Sequence, residues 1–525
     1  MDSKLIFLPL GGMGDVTKNM YVYQWQDQIL LVDCGVGFPD ETVIGVDLLL
    51  PDITYLLKNK SKIRGMVITH GHEDHFGALP YILPQLPTFP IFATRLTAAF
   101  ANEKLAEFGI TTSQVQAVSF DQTVRLGIFN VSFVRVTHSV PDSANLIIKT
   151  PVGAIYHASD FKLDPTPSDG FPTEIEKIKQ IGKEGVLCLL SDCLRIEKEG
   201  KTPSERAIEE SFERELKNCP GKFIVTTYSS NVSRLNQAVR AALKNGRKVC
   251  FVGRSLTRAK DIAIKLGYMG KLDNSEVSVE SLRQVPDHQL MLVVAGSQGQ
   301  GNSAMVRLSS DEDKFIKIKE GDVVVFSADP IPGNEVAVNS LIDALSKKGA
   351  RVVYSALTDE LHVSGHAAKE DIAEMIKMTN PRFLIPIGGA YRQMVQFKLL
   401  GQSLGWTKQQ ILLPENGQEI VFTENSAAFG KKILQKNIYV DEISGGEIEG
   451  IVLRDRQKLA EDGIITILIK IDASGQVFGK IDFIARGFVH DNKKLFHILE
   501  IDIKKALAKH KGRFLNTPFI RNMLS

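Results

Sequence analysis

A histidine-rich heptad, 69–75, directly follows the short apolar run 65–68. The heptad reads THGHEDH, and it holds three of the 11 histidines in the chain. An apolar run that passes abruptly into ionisable side chains is typical of a strand that ends at a sheet edge and turns there. The alternative, polar turn residues clustered by chance, leaves the concentration of histidines unexplained. We therefore expect a sheet-based fold with a ligand-bearing turn at one edge.

Four side chains of the heptad are candidate metal ligands: His70, His72, Asp74 and His75. Imidazole nitrogens and carboxylate oxygens suit zinc or manganese where a water molecule must also bind. A turn also lets alternating side chains converge from several directions. The heptad therefore predicts a metal site.

Three further polar residues follow predicted strands elsewhere in the chain. His138 follows the run 131–136, and Asp160 follows the run 154–156. Alone, each would more often be a capping or turn residue, but beside the heptad we favour both as metal ligands. Asp33 ends the run 30–32 and is expected to orient a ligand histidine from outside the metal's own shell.

Composition excludes several classes of protein. The 525 residues are enough for about three domains. Five scattered cysteines without paired spacing argue against a disulfide framework and a thiolate zinc site. No signal peptide is evident and no apolar run approaches the roughly 18 residues that span a bilayer, so we expect a cytoplasmic protein. The net charge of +2 does not by itself indicate a nucleic-acid partner, although lysine clusters at 431–436 and 504–513 are candidate contacts.

The pattern of predicted elements changes along the chain. Short β-rich runs fill the first 160 residues, with a helix near 95–108, and they indicate a layered, sheet-rich domain. The segment 202–205, TPSE, has the form of a capping box and predicts the start of a long helix. Strands and helices then alternate from 222 to 355, which predicts a mainly parallel sheet. After a linker-like stretch, strands are expected at 464–471 and 479–484 and a helix near 498–510.

Longer motifs resemble a known family. The order His-x-His-x-Asp-His, then one His, then Asp is the ligand order of the metallo-β-lactamase superfamily, and further blocks are similar to the ribonuclease J family. The similarity extends over nearly the whole chain. Its blocks are 11–14 (GGMG), 47–52 (DLLLPD), 69–80, 191–192 (SD), 226–232 (TTYSSNV), 252–255 (VGRS), 295–299 (AGSQG), 330–335 (PIPGNE), 362–367 (HVSGHA) and 486–489 (RGFV).

The resemblance implies the fold class and the domains. We expect an α/β protein, with an αββα metallo-β-lactamase sandwich interrupted by a β-CASP α/β domain and followed by a small C-terminal α/β domain. The sandwich would comprise 1–210 and the return segment 356–425, around a β-CASP domain at 211–355. A linker at 426–445 would lead to the C-terminal domain at 446–525.

The resemblance also implies a function. Members of the family cut RNA internally and degrade it from a 5′-monophosphate end, so we expect a metal-dependent ribonuclease of RNA processing and decay. The implied cofactor is Zn²⁺, as one or two ions, with Mn²⁺ or Mg²⁺ also open. Single-stranded RNA with a 5′-monophosphate is the implied substrate, and a homodimer or homotetramer is the implied assembly.

Site roles follow from the resemblance residue by residue. One metal would be held by His70, His72 and His138, the other by Asp74 and His75, and Asp160 would bridge them. Asp74 and His366 are the expected catalytic residues. His366 would give a proton to the leaving 3′-oxygen or hold the scissile phosphate. The expected RNA or phosphate contacts are Ser297, Gln298, Gly299, His362, Ser364 and His366.

One block departs from the family pattern. Before Tyr391 the family normally has His-Gly-Glu, whose histidine completes the second metal's shell, but this chain has Gly388, Gly389 and Ala390. Ser233 and Gln300 also replace a common histidine and a common glutamate. The second site then keeps only three ligands, and its affinity should fall.

Several outcomes are open for such a chain. Water could fill the second shell, one metal could suffice for slow hydrolysis, or the chain could be a catalytically reduced RNA-binding paralogue. We favour retained activity because every other ligand position is filled. A small-molecule metallohydrolase has no use for an inserted domain, whereas a DNA nuclease would be equivalent at the metal site.

Overall fold

The structure is a computed structural model that describes residues 4–39, 43–331, 333–355, 357, 363–441, 446–470, 472, 478–487 and 492–509. The chain forms two compact units. The first comprises 1–38 and 48–438, and the second comprises 39–47 and 439–525. The histidine heptad belongs to the first unit. Among the described residues, no helix combines the length and the apolar character needed to cross a membrane.

The first unit begins with a region of two mixed sheets. Its elements are β1 (Leu5–Pro9), β2 (Met13–Gly14), β3 (Tyr21–Trp25), β4 (Gln28–Val32), β5 (Leu48–Leu50), α1 (Thr54–Lys58), β6 (Ile63–Ile68), α2 (Glu73–Phe76), α3 (Leu79–Ile82), β7 (Ile91–Thr94), α4 (Arg95–Glu107), β8 (Val115–Val118), β9 (Thr123–Leu126), β10 (Phe129–Arg135), β11 (Ala144–Thr150), β12 (Gly153–Ala158), α5 (Ile175–Glu184) and β13 (Cys188–Asp192).

A second region and a return segment follow. The second region contains α6 (Arg206–Lys217), β14 (Phe223–Thr226), α7 (Val232–Lys244), β15 (Lys248–Val252), α8 (Arg254–Leu266), β16 (Leu290–Val294), α9 (Ala304–Ser309), β17 (Val323–Phe326), α10 (Glu335–Lys347) and β18 (Arg351–Val353). The return segment contains α11 (Lys369–Thr379), β19 (Phe383–Ile387), β20 (Gly389–Ala390), α12 (Tyr391–Ser403), β21 (Gln418–Phe422) and β22 (Ala427–Lys432).

The two mixed sheets share one apolar core. One sheet has the order β22-β21-β1-β3-β4-β6-β7-β8, and the other has the order β19-β13-β12-β11-β10-β9. Phe7 and Tyr23 of the first sheet and Phe133 and Tyr156 of the second are buried in the same cluster. Helices α5, α11 and α12 add their apolar faces to it. Two sheets with helices packed against them form the predicted αββα sandwich.

The inserted region is a separate layer around a parallel sheet. Its strands have the order β15-β16-β14-β17-β18, and every pair is parallel, as predicted. Alternate residues enter two different clusters, since Phe223 and Val225 pack on one face and Ile224 on the other. This alternation follows from the two-residue period of a strand that is buried on both faces. The insertion lies between β13 and β19, which are neighbours in the sandwich sheet.

The predicted capping box is wrong. Helix α6 begins at Arg206, and its N-cap residue, Glu205, makes no side-chain capping hydrogen bond. Thr202 instead donates its hydroxyl to the backbone carbonyl of His366, at 2.7 Å. The carboxylate of Glu205 accepts a hydrogen bond from Arg234 at 2.6 Å. Contacts between distant segments have therefore overridden the local capping preference.

The predicted linker at 426–445 is wrong in its first part. Residues 427–432 form β22, which pairs antiparallel with β21 and places Ala427 opposite Phe422. The small polar residues that indicate a linker form the tight turn of this hairpin, where Thr423 N donates to Ser426 O. Residues 442–445 lie outside the described part of the chain.

The second unit is a small α/β structure. Its elements are β23 (Ile438–Asp441), β24 (Gly446–Glu447), α13 (Gly450–Asp462), β25 (Ile464–Leu468), β26 (Asp482–Arg486) and α14 (Asn492–Ala508). Strands β25 and β26 pair antiparallel, and Phe496 of α14 stacks on Phe483 at 5.2 Å between ring centroids. The predicted strands and helix are present; β25 begins at the predicted residue, whereas β26 and α14 have bounds that differ from those expected.

Candidate metal centre

The predicted ligands follow strands whose carboxyl ends point to the same edge of the sandwich. Strands β10 and β12 are both antiparallel to β11, so they run in the same direction, and β13 and β19 run parallel to β12. The heptad follows β6 of the other sheet. Thr69 connects the two sheets, because its carbonyl accepts a hydrogen bond from Ala144 N at 3.0 Å and its hydroxyl oxygen lies 3.2 Å from Ser159 Oγ.

Three histidines from these strand ends converge on one point. His72 Nδ1 lies 3.2 Å from His70 Nε2 and 3.1 Å from His138 Nε2. Asp160 Oδ2 lies 3.5 Å from His70 Nε2 and 3.7 Å from His138 Nε2. These four side chains form a group that could hold a metal ion. The spacing of the donor atoms is that of ligands around one tetrahedral ion.

Two of these histidines form a hydrogen bond through the ring nitrogen that faces away from the centre, and this bond bears on which nitrogen carries the proton. His138 Nδ1 lies 2.8 Å from the carbonyl of Gly365. A carbonyl oxygen only accepts, so Nδ1 carries the proton and Nε2 presents its lone pair to the centre. His72 Nε2 lies 3.0 Å from Ser139 Oγ, which allows the same arrangement. The nitrogens that face the centre can therefore present their lone pairs to a cation.

Burial keeps two histidines of the first group, His72 and His138, neutral. It lowers the pKa of His72 well below the usual value, and the neighbouring His138 and His70 lower it further. Burial likewise lowers the pKa of His138. A metal ion requires deprotonated ring nitrogens, so these shifts favour metal binding at neutral pH.

A second group shares Asp160 with the first. It consists of Asp74, His75 and Asp160. His75 Nε2 lies 3.5 Å from Asp74 Oδ2 and 3.5 Å from Asp160 Oδ2. Its Nδ1 donates to Asp33 Oδ2 at 2.8 Å, and Asp33 also accepts from the backbone N–H and the hydroxyl of Thr69. Asp33 therefore lies where the sequence places it, behind a ligand histidine.

Negative charge dominates the second group. Burial acts to lower the pKa of His75, but the carboxylates of Asp160, Asp74 and Asp33 outweigh it and hold this pKa well above the usual value. Such a concentration of carboxylates around one imidazole attracts a cation, and a metal ion would displace the extra proton.

His366 faces the same centre from the return segment. Its Nε2 lies 3.8 Å from Asp160 Oδ2, and its Nδ1 donates to Asp192 Oδ2 at 2.7 Å. Burial acts against the charged form, yet Asp192 and Asp160 raise the pKa of His366 to about 9. His366 N also donates to Ser364 Oγ at 3.1 Å. Asp192 thus orients His366 with one ring nitrogen toward the centre.

Gly388 borders the centre without contributing a donor. It has φ +63°, and a Cβ atom there would lie 3.8 Å from Asp192 Oδ1 and 3.9 Å from Asp160 Oδ1. Its N–H donates to the carbonyl of Gly12 at 2.9 Å. The position adjoins both carboxylates, as expected for the family's missing histidine, but glycine leaves it without a ligand.

The expected phosphate-binding residues Ser364 and His366 lie in the return segment at the centre, Ser297 to Gly299 lie in the inserted region, and one lies outside the described residues. Ser297 and Gln298 are buried in the loop after β16. Gln298 Nε2 donates to the carbonyl of Asp329 at 3.1 Å, and the amide N–H of Gly299 donates to Gly296 within a turn. His362 lies outside the described residues. A phosphate-binding role for this loop stays a prediction.

The lysine clusters are partly paired. Lys432 forms an ion pair with Glu415, and Lys504 forms one with Glu500. Residues 511 and 513 lie outside the described part of the chain. RNA contact through these clusters stays a prediction.

Two residues at the centre have no site role in the sequence-based prediction. Asp192 ends an apolar strand, a pattern much like that of Asp160, and this signal could have identified it. Asn19 gave no comparable signal because it opens a predicted strand. Its side chain lies 3.1 Å from His75 Nε2 and 3.4 Å from Asp74 Oδ2.

Four protein-family models match successive parts of the chain. A beta-lactamase superfamily domain matches residues 29–182, and the ribonuclease J beta-CASP domain matches residues 220–345. A Zn-dependent metallo-hydrolase RNA specificity domain matches residues 351–409, and the ribonuclease J C-terminal domain matches residues 451–521. The matches follow the order sandwich, insertion, return segment and second unit.

Similar proteins extend over most of the chain. Ribonuclease J of Thermus thermophilus is 38% identical over 495 residues, which cover 93% of this chain and 85% of that protein. Ribonuclease J of Synechocystis is 40% identical over 487 residues, covering 92% and 76% of the two chains. Ribonuclease J2 of Bacillus subtilis is 34% identical over 485 residues, covering 92% and 87%.

A solved structure shares the fold. The crystal structure of a protein of unknown function from Enterococcus faecalis aligns with a TM-score of 0.55 and 18% identity, and it covers 80% of this chain and 100% of that one. Together, the sandwich, the inserted sheet and the histidine-carboxylate edge define a metal-dependent hydrolase of the metallo-β-lactamase fold with a β-CASP insertion. Within that class, the chain belongs to the ribonuclease J family.

Proposed function

We propose that this chain hydrolyses RNA phosphodiester bonds at a metal centre held by His70, His72, His138, Asp74, His75 and Asp160. Membership of the ribonuclease J family makes the chain a metal-dependent ribonuclease. The observation that supports this centre best is the convergence of ring nitrogens from His70, His72 and His138 beside the Asp160 carboxylate. The four donors come from three strand ends in two sheets, and their spacing suits one ion.

The chemistry is divided between the ion and the protein. A bound metal ion lowers the pKa of a coordinated water and stabilises negative charge that develops on a phosphate. The protein supplies orientation: Asp33 holds His75, and the carbonyl of Gly365 holds His138. His366, fixed by Asp192 at Nδ1, points Nε2 toward Asp160 and can donate a proton from Nε2 to a phosphate oxygen or to the leaving 3′-oxygen.

The finer assignments are also part of the proposal. We assign Zn²⁺ to the nitrogen-rich first group, since three imidazoles and one carboxylate are typical zinc ligands. We assign cleavage both internally and from a 5′-monophosphate end, together with a homodimeric or homotetrameric assembly, on the family resemblance. Light scattering of the purified chain tests the assembly directly.

The test is degradation of single-stranded RNA by the full-length chain with added zinc, manganese or magnesium. Three RNA substrates share one sequence. Two are linear and carry a 5′-monophosphate or a 5′-triphosphate, and the third is circular and has no ends. A DNA of the same sequence tests the choice of sugar. The variant His72→Ala removes a ligand, and His288→Ala, an exposed histidine of the first unit, is the matched control.

Each outcome has a definite meaning. We expect RNA to be degraded by the unmodified chain and by His288→Ala, and not by His72→Ala. Cleavage of the circle requires internal cutting, and faster loss of the 5′-monophosphorylated RNA indicates attack from that end. Tight RNA binding without turnover under every metal would overturn the proposal and make the chain an RNA-binding member of the family.

A further inference from the structure

The two ligand groups differ in their donor atoms. The first group offers three ring nitrogens and one carboxylate, whereas the second offers one ring nitrogen, from His75, and the two carboxylates of Asp74 and Asp160. Gly388, which borders the centre, adds no side-chain donor. Within the described residues, no further His, Cys, Asp or Glu belongs to the second group. The second group therefore needs another kind of ligand to reach four.

Asn19 is the neutral side chain that lies against this group. Its Nδ2 is 3.1 Å from His75 Nε2 and 3.4 Å from Asp74 Oδ2, and the residue is buried. Its backbone is fixed to the same turn, because Asn19 N donates to Asp74 O at 3.0 Å and Asn19 O accepts from Gly35 N at 2.9 Å. The amide is thus held in place beside two of the three donors.

The hydrogen bonds around Asn19 suit both orientations of its amide. In the structure, Nδ2 lies 3.1 Å from His75 Nε2, while Oδ1 accepts from the Tyr21 hydroxyl at 2.8 Å. An ion bound at His75 Nε2 excludes the N–H of the amide. Rotation of the amide by half a turn then directs Oδ1 to the ion and Nδ2 to the Tyr21 oxygen, which can accept as well as donate. The rotation gives up the hydrogen bond to the carbonyl of Val16, a residue that is partly exposed.

We infer that Asn19 supplies the fourth protein ligand of the second metal position through its amide oxygen, and that this position takes Mn²⁺ or Mg²⁺ in preference to Zn²⁺. Three oxygens and one nitrogen are the donors that hard divalent cations favour, whereas imidazole-rich sets favour zinc. The centre then holds two different metals, zinc in the first position and a harder ion in the second. This inference rests on the proposed metal centre and adds the identity of its second half.

The test measures binding rather than activity. The metal-stripped full-length chain receives one equivalent of Zn²⁺ and is then titrated with Mn²⁺, both alone and in competition with further Zn²⁺. Free Mn²⁺ is counted by electron paramagnetic resonance, and metal content is checked by mass spectrometry. Three variants are compared with the unmodified chain: Asn19→Ala, Asn19→Asp and Gly388→His. Asn145→Ala, which replaces another buried asparagine of the sandwich, is the matched control.

The expected results separate a ligand from a structural residue. Asn19→Ala should weaken the second Mn²⁺ by about tenfold or more while the first Zn²⁺ stays bound, and Asn145→Ala should change neither. Asn19→Asp should tighten Mn²⁺, because a carboxylate oxygen then replaces the amide oxygen, and a gain is not expected from damage to the fold. Gly388→His should shift the second position toward zinc, because it adds an imidazole.

Failure of this inference can be told apart from failure of the proposed function. Equal Mn²⁺ affinity in the unmodified chain and in Asn19→Ala would overturn it, as would a second position that binds zinc more tightly than Mn²⁺ or binds nothing. In each case, retained zinc in the first position and RNA degradation would leave the proposed function standing. If the unmodified chain neither binds zinc in the first position nor degrades RNA, both this inference and the proposed function are overturned.

Discussion

Single residues at the centre act mainly by fixing their neighbours. Asp33 is fully buried and accepts three hydrogen bonds, from Thr69 N, Thr69 Oγ1 and His75 Nδ1. It holds the His75 ring so that Nε2 faces Asp74 and Asp160. Because partners of this kind orient a ligand and raise its basicity, they contribute to metal affinity without touching the ion.

Asp33→Ala should weaken metal binding at the second group by about 10-fold to 100-fold, the usual effect of losing such a partner. It should also lower the unfolding temperature, because the buried N–H of Thr69 loses its acceptor. Titration of metal into the stripped chain and thermal unfolding measure the two effects. Asp27→Ala, at an exposed carboxylate, is the control, and equal metal affinity in all three proteins would contradict the prediction.

Asp192→Asn should lower the rate of RNA cleavage in a single turnover by about 10²-fold or more, within the range that general acid–base catalysis contributes. The amide keeps the size of the side chain but no longer stabilises a charged His366. Metal content and RNA affinity should change little, since Asp192 belongs to neither of the two proposed ligand groups and only forms, with Asp160 and His366, a third set of possible donors. Loss of metal in parallel with the rate would show instead that Asp192 maintains the centre itself.

Strands and helices were easier to predict than their ends. Strand β4 has a continuous apolar run, β10 has apolar residues separated by polar ones, and α4 has a clear stop at Gly109, so the sequence locates all three. The capping box at 202–205 failed because a pattern of four residues carries no information about Arg234, which lies 29 positions beyond Glu205. A local capping pattern gives the wrong prediction where its side chain forms an ion pair with a buried charged residue from a distant segment, as Glu205 does.

The start of α6 carries a buried ionic cluster whose effect on stability can be measured. Burial acts to raise the pKa of Glu205, but Arg234 and Lys162 outweigh it and lower the pKa to about 2. Glu205→Gln leaves both cations without this partner and should destabilise the folded chain by about 3 kcal/mol. Glu209→Gln, one turn further along α6, breaks a more exposed ion pair with Arg240 and should cost less than about 1 kcal/mol.

The pH dependence of this difference has a definite sign. The pKa of Glu205 is lower in the folded chain than its usual 4.5, so its contribution is complete above about 4.5 and is lost as the pH falls toward 2. Denaturant unfolding at several pH values should therefore show a constant gap between the unmodified chain and Glu205→Gln near neutral pH, and a shrinking gap below about 4.5. A gap that widens on acidification would contradict the assignment.

At the scale of the whole molecule, the sequence predicts the order of the domains but not all of the contacts that complete the site. The heptad could be recognised because its ligands are adjacent in the chain. Asn19 is 56 residues from His75, and Gly365 is 227 residues from His138, so no spacing rule connects them. These contacts depend on how two sheets and an inserted domain are folded together, and they became visible only in the structure.

Removal of metal should loosen the edge of the sandwich and leave the rest of the molecule unchanged. All ligands of both groups belong to the first unit, and the main apolar core of that unit is buried without any contribution from an ion. A bound ion stabilises the segments that hold it, by about 4 kcal/mol when its concentration is a thousand times its dissociation constant. A chelator should therefore speed up hydrogen exchange in peptides that contain 69–76, 137–140 and 159–161, and leave exchange in 446–470 unchanged.

The His72→Ala variant should show the faster exchange even with metal present, because it has lost a first-group ligand. Equal exchange with and without chelator at the three ligand segments would contradict a metal centre there, and faster exchange throughout both units would show that the ion supports the whole fold rather than one edge.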